Sequence, residues 1–146
     1  MDIYQRLKQD HDKQRELAGK ITDTEGNSEE RRRLWKEFKP EAEAHAAAEE
    51  QTFYATLIEK PDGQEKARHS ISEHKEAADL IEELSKLGMG SGGWIQKFKK
   101  LKEELEHHMK EEEDEVFQRA KKLIDQREAK RLAETFEERK RQQLAT

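Results

Sequence analysis

Two copies of one short pattern contain residue types that could do chemistry. Each copy has a histidine followed four residues later by a glutamate, His45 with Glu49 and His108 with Glu112. Because an α-helix turns by about 100° per residue, this spacing places both side chains of a pair on one helix face. Imidazole nitrogens and carboxylate oxygens, without sulfur, suit iron and also manganese or zinc. The pattern therefore predicts that these helices bind metal.

The two pairs belong to a longer internal repeat. A single shift of 63 residues carries the first pair onto the second, and the same shift carries His11 onto His74. Large apolar residues also coincide in this register, for example Trp35 with Phe98. Four histidines and two glutamates therefore share one gap-free shift, which predicts a duplicated helical hairpin.

Each of these residues alone has an ordinary explanation. A single histidine on an apolar helix face is more often a core residue than a ligand, and chance produces His-x-x-x-Glu in a glutamate-rich chain. The combination favours a metal site, because four predicted helices each place a histidine on their apolar row. Six buried ionisable groups are costly unless they are paired or metal-bound. Two divalent ions, each taking two imidazoles and sharing both carboxylates, would satisfy the whole set.

One ligand position remains open to an alternative. His107 and Glu111 have the same spacing as His108 and its glutamate. The apolar row through Leu105 and the 63-residue shift both favour His108. His69 is predicted to face solvent or a neighbouring rim. The acidic residues beside the pairs are predicted to form a solvated face: Glu50, Glu113, Asp114 and Glu115.

Length and composition restrict the class of protein. The chain has 146 residues, 43% of them charged and 32% hydrophobic, which is a single domain with a small core that metal bonds would stabilise. Its net charge of −5 comes from interspersed acids and bases, so no basic surface for nucleic acid is expected. The absence of cysteine excludes disulfides and thiolate ligands. Without a membrane-spanning apolar run or a signal peptide, we expect a cytoplasmic protein that makes no membrane contact.

Composition and periodicity predict an all-α fold. Amphipathic rows predict five helical segments, at about 2–21, 29–60, 64–87, 94–122 and 125–143. Pro40 should kink or interrupt the second of them near Phe38–Lys39. Short connections predict an antiparallel up-down-up-down four-helix bundle over residues 1–124. Residues 125–146 would form a C-terminal helix that packs on the bundle or extends from it.

The order of the six candidate ligands resembles that of the hemerythrin-like, or HHE cation-binding, domain family over about residues 1–124. The matching residues are His11, His45-x-x-x-Glu49, His74 and His108-x-x-x-Glu112. The resemblance implies a four-helix bundle that holds two iron ions in a non-haem, carboxylate-bridged centre. It implies that His11 and His45 bind one iron. It likewise implies that His74 and His108 bind the other, and that Glu49 and Glu112 bridge the two.

One difference from the oxygen-carrying members of that family affects the predicted function. Those proteins have a further histidine one turn from the ligand equivalent to His74, whereas this chain has Ser70 and Ala78 there. The resemblance thus implies an additional coordination position for a small diatomic ligand or peroxide. The first hypothesis is a di-iron protein that binds oxygen, nitric oxide or peroxide for sensing, storage or scavenging. The alternatives are an enzyme that consumes peroxide or nitric oxide, and an iron-storage or metal-stabilised structural module.

Two further features of the sequence bear on those alternatives. No residue is an evident proton donor beside the six ligands, which weighs against the enzymatic alternative. No sequence pattern specifies an oligomer.

Overall fold

A computed structural model describes residues 1–146, and the chain is all-helical, as the sequence predicts. The helices are α1 (Ile3–Thr22), α2 (Glu29–Glu49), α3 (Ala55–Ile58), α4 (Gln64–Lys86), α5 (Gly92–Glu111), α6 (Phe117–Leu123) and α7 (Gln126–Ala145). A π-helical turn, Glu50–Tyr54, joins α2 to α3, and another, Glu112–Val116, joins α5 to α6. A 3₁₀ turn, Pro61–Gly63, precedes α4. No helix is both long enough and apolar enough to cross a lipid bilayer.

Three of the five long helices, α1, α2 and α7, begin at a residue whose side chain caps them. Asp2 accepts a hydrogen bond from the backbone N–H of Gln5, while the side chain of Gln5 accepts one from the backbone N–H of Asp2. Ser28 and Asp125 likewise accept hydrogen bonds from backbone N–H groups in the first turns of α2 and α7. Such caps satisfy donors that have no partner inside the helix. They fix where each helix starts and hence how deep its side chains lie in the bundle.

Pro40 lies inside α2, and the helix continues through it. The predicted break at this position is therefore wrong, and a kink there stays a prediction. Proline has a fixed φ that fits a helix, and its main cost is the loss of one backbone hydrogen bond together with a local clash. The neighbouring side chains of Phe38 and Ala42 are buried, so their packing offsets that cost.

The irregular turns occur instead beside the paired glutamates. One π-helical turn begins directly after Glu49, and the other begins at Glu112. A π turn holds more residues than an α turn, and such turns are frequent at functional sites. The two turns lie within one residue of equivalent positions under the 63-residue shift. The repeat is therefore visible in the backbone as well as in the sequence.

The candidate ligands divide the apolar core into two clusters, of 15 and 14 buried residues. Along α1, the chain passes from the first cluster at Leu7, through His11, to the second cluster at Leu17. The histidines of α2, α4 and α5 also lie between the two clusters. In the direction of the chain, α4 passes from the first cluster to the second, as α1 does, whereas α2 and α5, with the π turns that follow them, pass from the second cluster to the first. This alternation supports the up-down-up-down order, which stays a prediction.

The C-terminal helix α7 packs against α1 and α2. Its Phe136 is fully buried, and the ring lies edge-on to the imidazole of His45 with centroids 5.5 Å apart. Lys140 is also buried, and its ammonium group donates hydrogen bonds to Asp10 at 2.9 Å and to Glu41 at 2.6 Å. The last helix therefore contacts residues close to the predicted ligands. The predicted division of the chain after residue 124 stays a prediction.

Candidate metal centre

All six predicted ligands meet where α1 and α4 are at mid-length and where α2 and α5 pass into the π-helical turns. They are His11 of α1, His45 and Glu49 of α2, His74 of α4, His108 of α5 and Glu112 of the following π turn. All six side chains are buried, and both glutamates are fully buried. His107 lies outside this group, because 69% of its side chain is exposed on the surface of α5. The geometry thus favours His108 over His107.

Glu49 contacts histidines from both halves of the repeat. Its Oε1 atom lies 3.5 Å from Nε2 of His45 and 3.1 Å from Nε2 of His74. It forms one potential ligand cluster with His11 and His45, and another with His74 and His108. Within each cluster the donor atoms lie within 4.8 Å of one another. One carboxylate is thus shared by two sets of imidazoles.

Glu112 spans the same two sets of imidazoles. Its Oε1 atom lies 3.1 Å from Nε2 of His11, and its Oε2 atom lies 3.6 Å from Nε2 of His108. The contact between Oε1 of Glu112 and Nε2 of His11 is not a hydrogen bond, and neither atom has a hydrogen-bond partner. Both carboxylate oxygens of Glu49 also lack a hydrogen-bond partner. Buried polar atoms without partners are unfavourable. Cations bound between these nitrogen and oxygen atoms would satisfy them, so the donor set fits a pair of metal ions.

Each of the four histidines has a carboxylate at its outer nitrogen, Nδ1. The pairs are His11 with Glu113 at 2.7 Å, His45 with Asp10 at 2.7 Å, His74 with Glu50 at 2.9 Å and His108 with Glu73 at 2.8 Å. A carboxylate that accepts a hydrogen bond from Nδ1–H fixes the tautomer and the ring orientation. The lone pair of Nε2 is then free to bind a metal. In all four residues Nε2 is the nitrogen that faces the buried glutamates.

The outer carboxylates follow the same repeat as the ligands. The 63-residue shift carries Asp10 onto Glu73 and Glu50 onto Glu113. The prediction that Glu50 and Glu113 belong to a solvated acidic face is wrong, because each hydrogen-bonds to a candidate ligand. Their coincidence under the shift was the signal that could have identified them. The repeat therefore includes both the ligands and the groups that orient them.

The electrostatics of the centre favour bound cations. Burial raises the pKa of Glu112, and the negative charge of Glu49 raises it further. Burial also tends to raise the pKa of Glu49, but His45 and His74 outweigh it and hold that pKa well below its usual range. Burial tends to lower the pKa of both histidines, yet Glu49 and their outer carboxylates raise it to about 9 for His45 and about 10 for His74. Divalent ions would take the place of the histidine protons, keep Glu49 ionised and favour ionisation of Glu112 as well.

Tyr54 is a buried residue beside the centre that the sequence analysis did not identify. Its hydroxyl donates a hydrogen bond to Oε2 of Glu112 and lies 3.4 Å from Nε2 of His108. Burial and the charges of Glu112 and Glu49 raise the pKa of this phenol well above its usual value, so the hydroxyl keeps its proton. The prediction that no proton donor lies beside the ligands is therefore wrong.

A cavity of about 630 Å³ reaches the centre, and residues of α2 and α4 form most of its wall. All four candidate histidines line it, together with several alanines: Ala42, Ala46, Ala47, Ala77 and Ala78. Small side chains leave space between the two helices. Since one water molecule occupies ~30 Å³ in the liquid, the cavity can admit a small ligand to the imidazoles.

Comparison with known proteins agrees with this geometry. Residues 2–120 match the family model of the hemerythrin HHE cation binding domain. The fold is similar to the crystal structure of a hemerythrin HHE cation binding domain-containing protein from Mycobacterium kansasii, with a TM-score of 0.87 and 26% sequence identity. That similarity covers 99% of this chain and 88% of the other. A comparison with curated protein sequences gives no significant match.

Proposed function

We propose a function from the premise that the chain belongs to the hemerythrin HHE cation binding domain family and is a metal-binding helical domain. We infer that the chain holds two iron ions and binds a small ligand at them. The ligand would be oxygen, nitric oxide or a peroxide, for sensing, storage or scavenging. The observation that carries this proposal is the convergence of four Nε2 atoms on two buried glutamates. Each glutamate contacts histidines of both halves of the repeat, which supports a bridging role for it between two ions.

The residues divide naturally between two metal positions. His11 and His45 would bind one ion, His74 and His108 the other, with Glu49 and Glu112 shared between them. This nitrogen and oxygen donor set suits iron, and manganese or zinc would fit the same atoms. An iron pair would supply the redox and ligand-binding chemistry that the side chains lack. The outer carboxylates keep each Nε2 directed at the metal position.

Metal analysis and optical spectroscopy of freshly purified protein test the proposal. We expect two iron ions per chain and a visible spectrum that changes reversibly between aerobic and anaerobic solution or on addition of nitric oxide. His45→Ala and His108→Ala should each reduce the iron content and the absorption strongly. Lys110→Ala, which removes an exposed side chain two residues from His108, should leave the spectrum unchanged.

Two results would contradict separate parts of this proposal. Unchanged iron content in both ligand variants would contradict the ligand assignment. An iron spectrum that responds to none of the three small ligands would contradict ligand binding while leaving the metal site intact.

A peroxide- or nitric-oxide-consuming enzyme is the second candidate function, and the position of Tyr54 favours it. The buried hydroxyl beside Glu112 and His108 could donate a hydrogen bond or a proton to a reacting ligand. Positioned proton donors typically accelerate reactions ~10²–10⁴-fold. Tyr54→Phe should therefore slow turnover by a factor in this range at unchanged iron content, whereas Tyr4→Phe should not. Consumption of only a few equivalents per site by the unaltered protein would exclude this candidate.

A further inference from the structure

We propose that His69, Glu73, His107 and Glu111 form a second, peripheral site for one divalent cation such as Zn²⁺. These four residues, named here the rim cluster, lie on α4 and α5 outside the buried centre. Each helix contributes a histidine and a glutamate four residues later, which is the spacing of the buried pairs. The proposal does not depend on which metal or ligand the buried centre binds.

The distances within the rim cluster match those of a metal site. Nε2 of His69 lies 3.0 Å from Oε1 of Glu111 and 3.5 Å from Oε2 of Glu73. Nε2 of His107 lies 3.2 Å from Oε2 of Glu111 and 3.8 Å from Oε2 of Glu73. Donor atoms placed tetrahedrally at ~2.0–2.1 Å from an ion lie ~3.3 Å from one another. The four histidine-to-glutamate separations lie on both sides of this value. The donor atoms of His69, Glu73 and Glu111 all lie within 4.8 Å of one another, so these three residues can hold an ion. A side-chain movement of His107 would complete the site.

The charges of the rim cluster also indicate a cation. The side chains of Glu73 and Glu111 are only 16% and 17% exposed, yet every ion pair they make is with a histidine. Neither carboxylate pairs with a lysine or arginine, although the chain has 29 of these residues. An adjoining depression adds further charged side chains: Glu76, Glu103, Glu104 and Lys100. This excess of negative charge would attract a cation to the rim cluster.

The first half of the repeat shows what occupies the equivalent place there. Arg6 is equivalent to His69, and it donates a hydrogen bond at 2.6 Å to Asp10, the equivalent of Glu73. Lys140 of α7 donates a second hydrogen bond to Asp10, at 2.9 Å. Asp10 therefore has two permanent cations, whereas Glu73 has only imidazoles. A divalent ion in the rim cluster would give Glu73 the positive partner that two basic side chains give Asp10.

Glu73 connects the rim cluster to the buried centre. Its Oε1 atom accepts a hydrogen bond from Nδ1 of His108 at 2.8 Å, while its Oε2 atom faces His69 and His107. Both rim histidines are exposed, by 52% and 69% of their side chains, so an ion there could exchange with solvent. One carboxylate would separate that ion from a ligand of the buried centre. Occupancy of the rim cluster would therefore alter the charge that His108 meets at its outer nitrogen.

Titration of Zn²⁺ into the iron-loaded chain, followed by calorimetry, tests this proposal. Glu111→Gln and Glu103→Gln form a matched pair, since both remove one carboxylate from α5 but only the first changes the rim cluster. We expect the unaltered chain and the Glu103→Gln variant to bind one Zn²⁺ ion with similar affinity. The Glu111→Gln and His69→Ala variants should bind it at least ~10-fold more weakly. Loss of even a second-shell partner of a metal ligand typically lowers affinity ~10–100-fold. Glu73 is left unaltered because it also contacts His108.

The other outcomes of the titration would overturn the proposal. Zn²⁺ binding of equal affinity in Glu111→Gln, His69→Ala and the unaltered chain would place the ion elsewhere. Equal weakening in Glu103→Gln and Glu111→Gln would show attraction by surface charge without a defined site. The proposal is also overturned if the unaltered chain shows no Zn²⁺ binding beyond that of the Glu111→Gln variant. Because the readout is the difference between variants, it holds whichever metal fills the buried centre.

Discussion

Residues 1–63 and 64–126 contribute equivalent candidate ligands and equivalent outer carboxylates, but the surroundings of those carboxylates differ. Asp10, in the first half, is buried and bonded to Arg6 and Lys140. Glu73, in the second half, lies nearer the surface and meets only imidazoles. Lys140 belongs to α7, which packs on α1 and α2 and has no counterpart in the repeat. Arg6 belongs to α1, and its equivalent in the second half is His69. A duplicated sequence has thus produced similar ligand geometry within unequal electrostatic environments.

The aromatic residues next to the ligands differ between the halves as well. Tyr54 and Phe117 are equivalent under the 63-residue shift. The ring of Phe117 stacks on His11 with an interplanar angle of 9°, and it carries no hydroxyl. The ring of Tyr54 is tilted by 48° against His74, and its hydroxyl bonds to Glu112. At these two equivalent positions only Tyr54 has a hydroxyl, so the two proposed metal positions should differ in chemistry.

Removal of metal disrupts both halves at once, and we expect it to have the largest effect on stability. A ligand that binds only the folded chain at ~1,000 times its dissociation constant stabilises it by ~4 kcal/mol. Chelator should therefore lower the free energy of unfolding by about this amount or more. Urea unfolding with and without chelator measures the change. The control is a variant with both His45→Ala and His108→Ala, whose free energy of unfolding should not change with chelator. Equal stability of the unaltered chain with and without chelator would contradict a stabilising metal.

Lys140→Met tests whether α7 sets the difference between the two outer carboxylates. The substitution keeps much of the side-chain volume but leaves Asp10 and Glu41 buried without this cation. Breaking a buried ion pair in this way typically costs ~3–5 kcal/mol, and the remaining bond from Arg6 should bring the loss to the lower end. Urea unfolding measures it. Lys130→Met, at an exposed position of the same helix, is the control, and equal stability of the two variants would show that Lys140 is not needed.

The meeting of the six candidate ligands could be predicted because the information for it is local and repeated. The four-residue spacing places His45 with Glu49, and the common shift then selects His108 over its neighbour His107. The apolar rows on either side of each histidine predict the long helices for the same reason. An ordinary helical period is enough for these conclusions, because every residue involved lies on the inward face of its own helix.

The parts that were not predicted depend on contacts between helices. Asp10 and His45 are 35 residues apart, and Lys140 reaches Asp10 across 130 residues. Nothing in helical periodicity indicates which side chains meet across such distances. The π turn after Glu49 also has no local signal such as proline or glycine, so the inward position of Tyr54 next to Glu112 could not be read from the sequence.

Tyr54→Phe removes the one hydroxyl that distinguishes the two sides of the centre. It leaves Glu112, a fully buried acceptor, without a hydrogen bond, and such a loss costs ~1–2 kcal/mol. We expect this decrease in the free energy of unfolding when chelator is present, so that metal does not compensate for it. Tyr4→Phe is a matched control, because the Tyr4 hydroxyl is buried without a partner and its removal should not destabilise the chain. Equal losses in both variants would show that the bond to Glu112 contributes nothing specific.

His69→Ala should have the smallest effect on folding and so provides the strictest comparison with the first half. His69 is half exposed and meets Glu73 and Glu111 only as an imidazole at the surface, so in chelator its removal should change stability by less than ~0.5 kcal/mol. Arg6→Ala, at the equivalent position, should cost more, because Asp10 is buried and loses a permanent cation. Urea unfolding of both variants measures the difference. If His69→Ala is as destabilising as Arg6→Ala, the imidazole stabilises the fold as much as the arginine does. The two halves would then not differ in electrostatic stabilisation at this position.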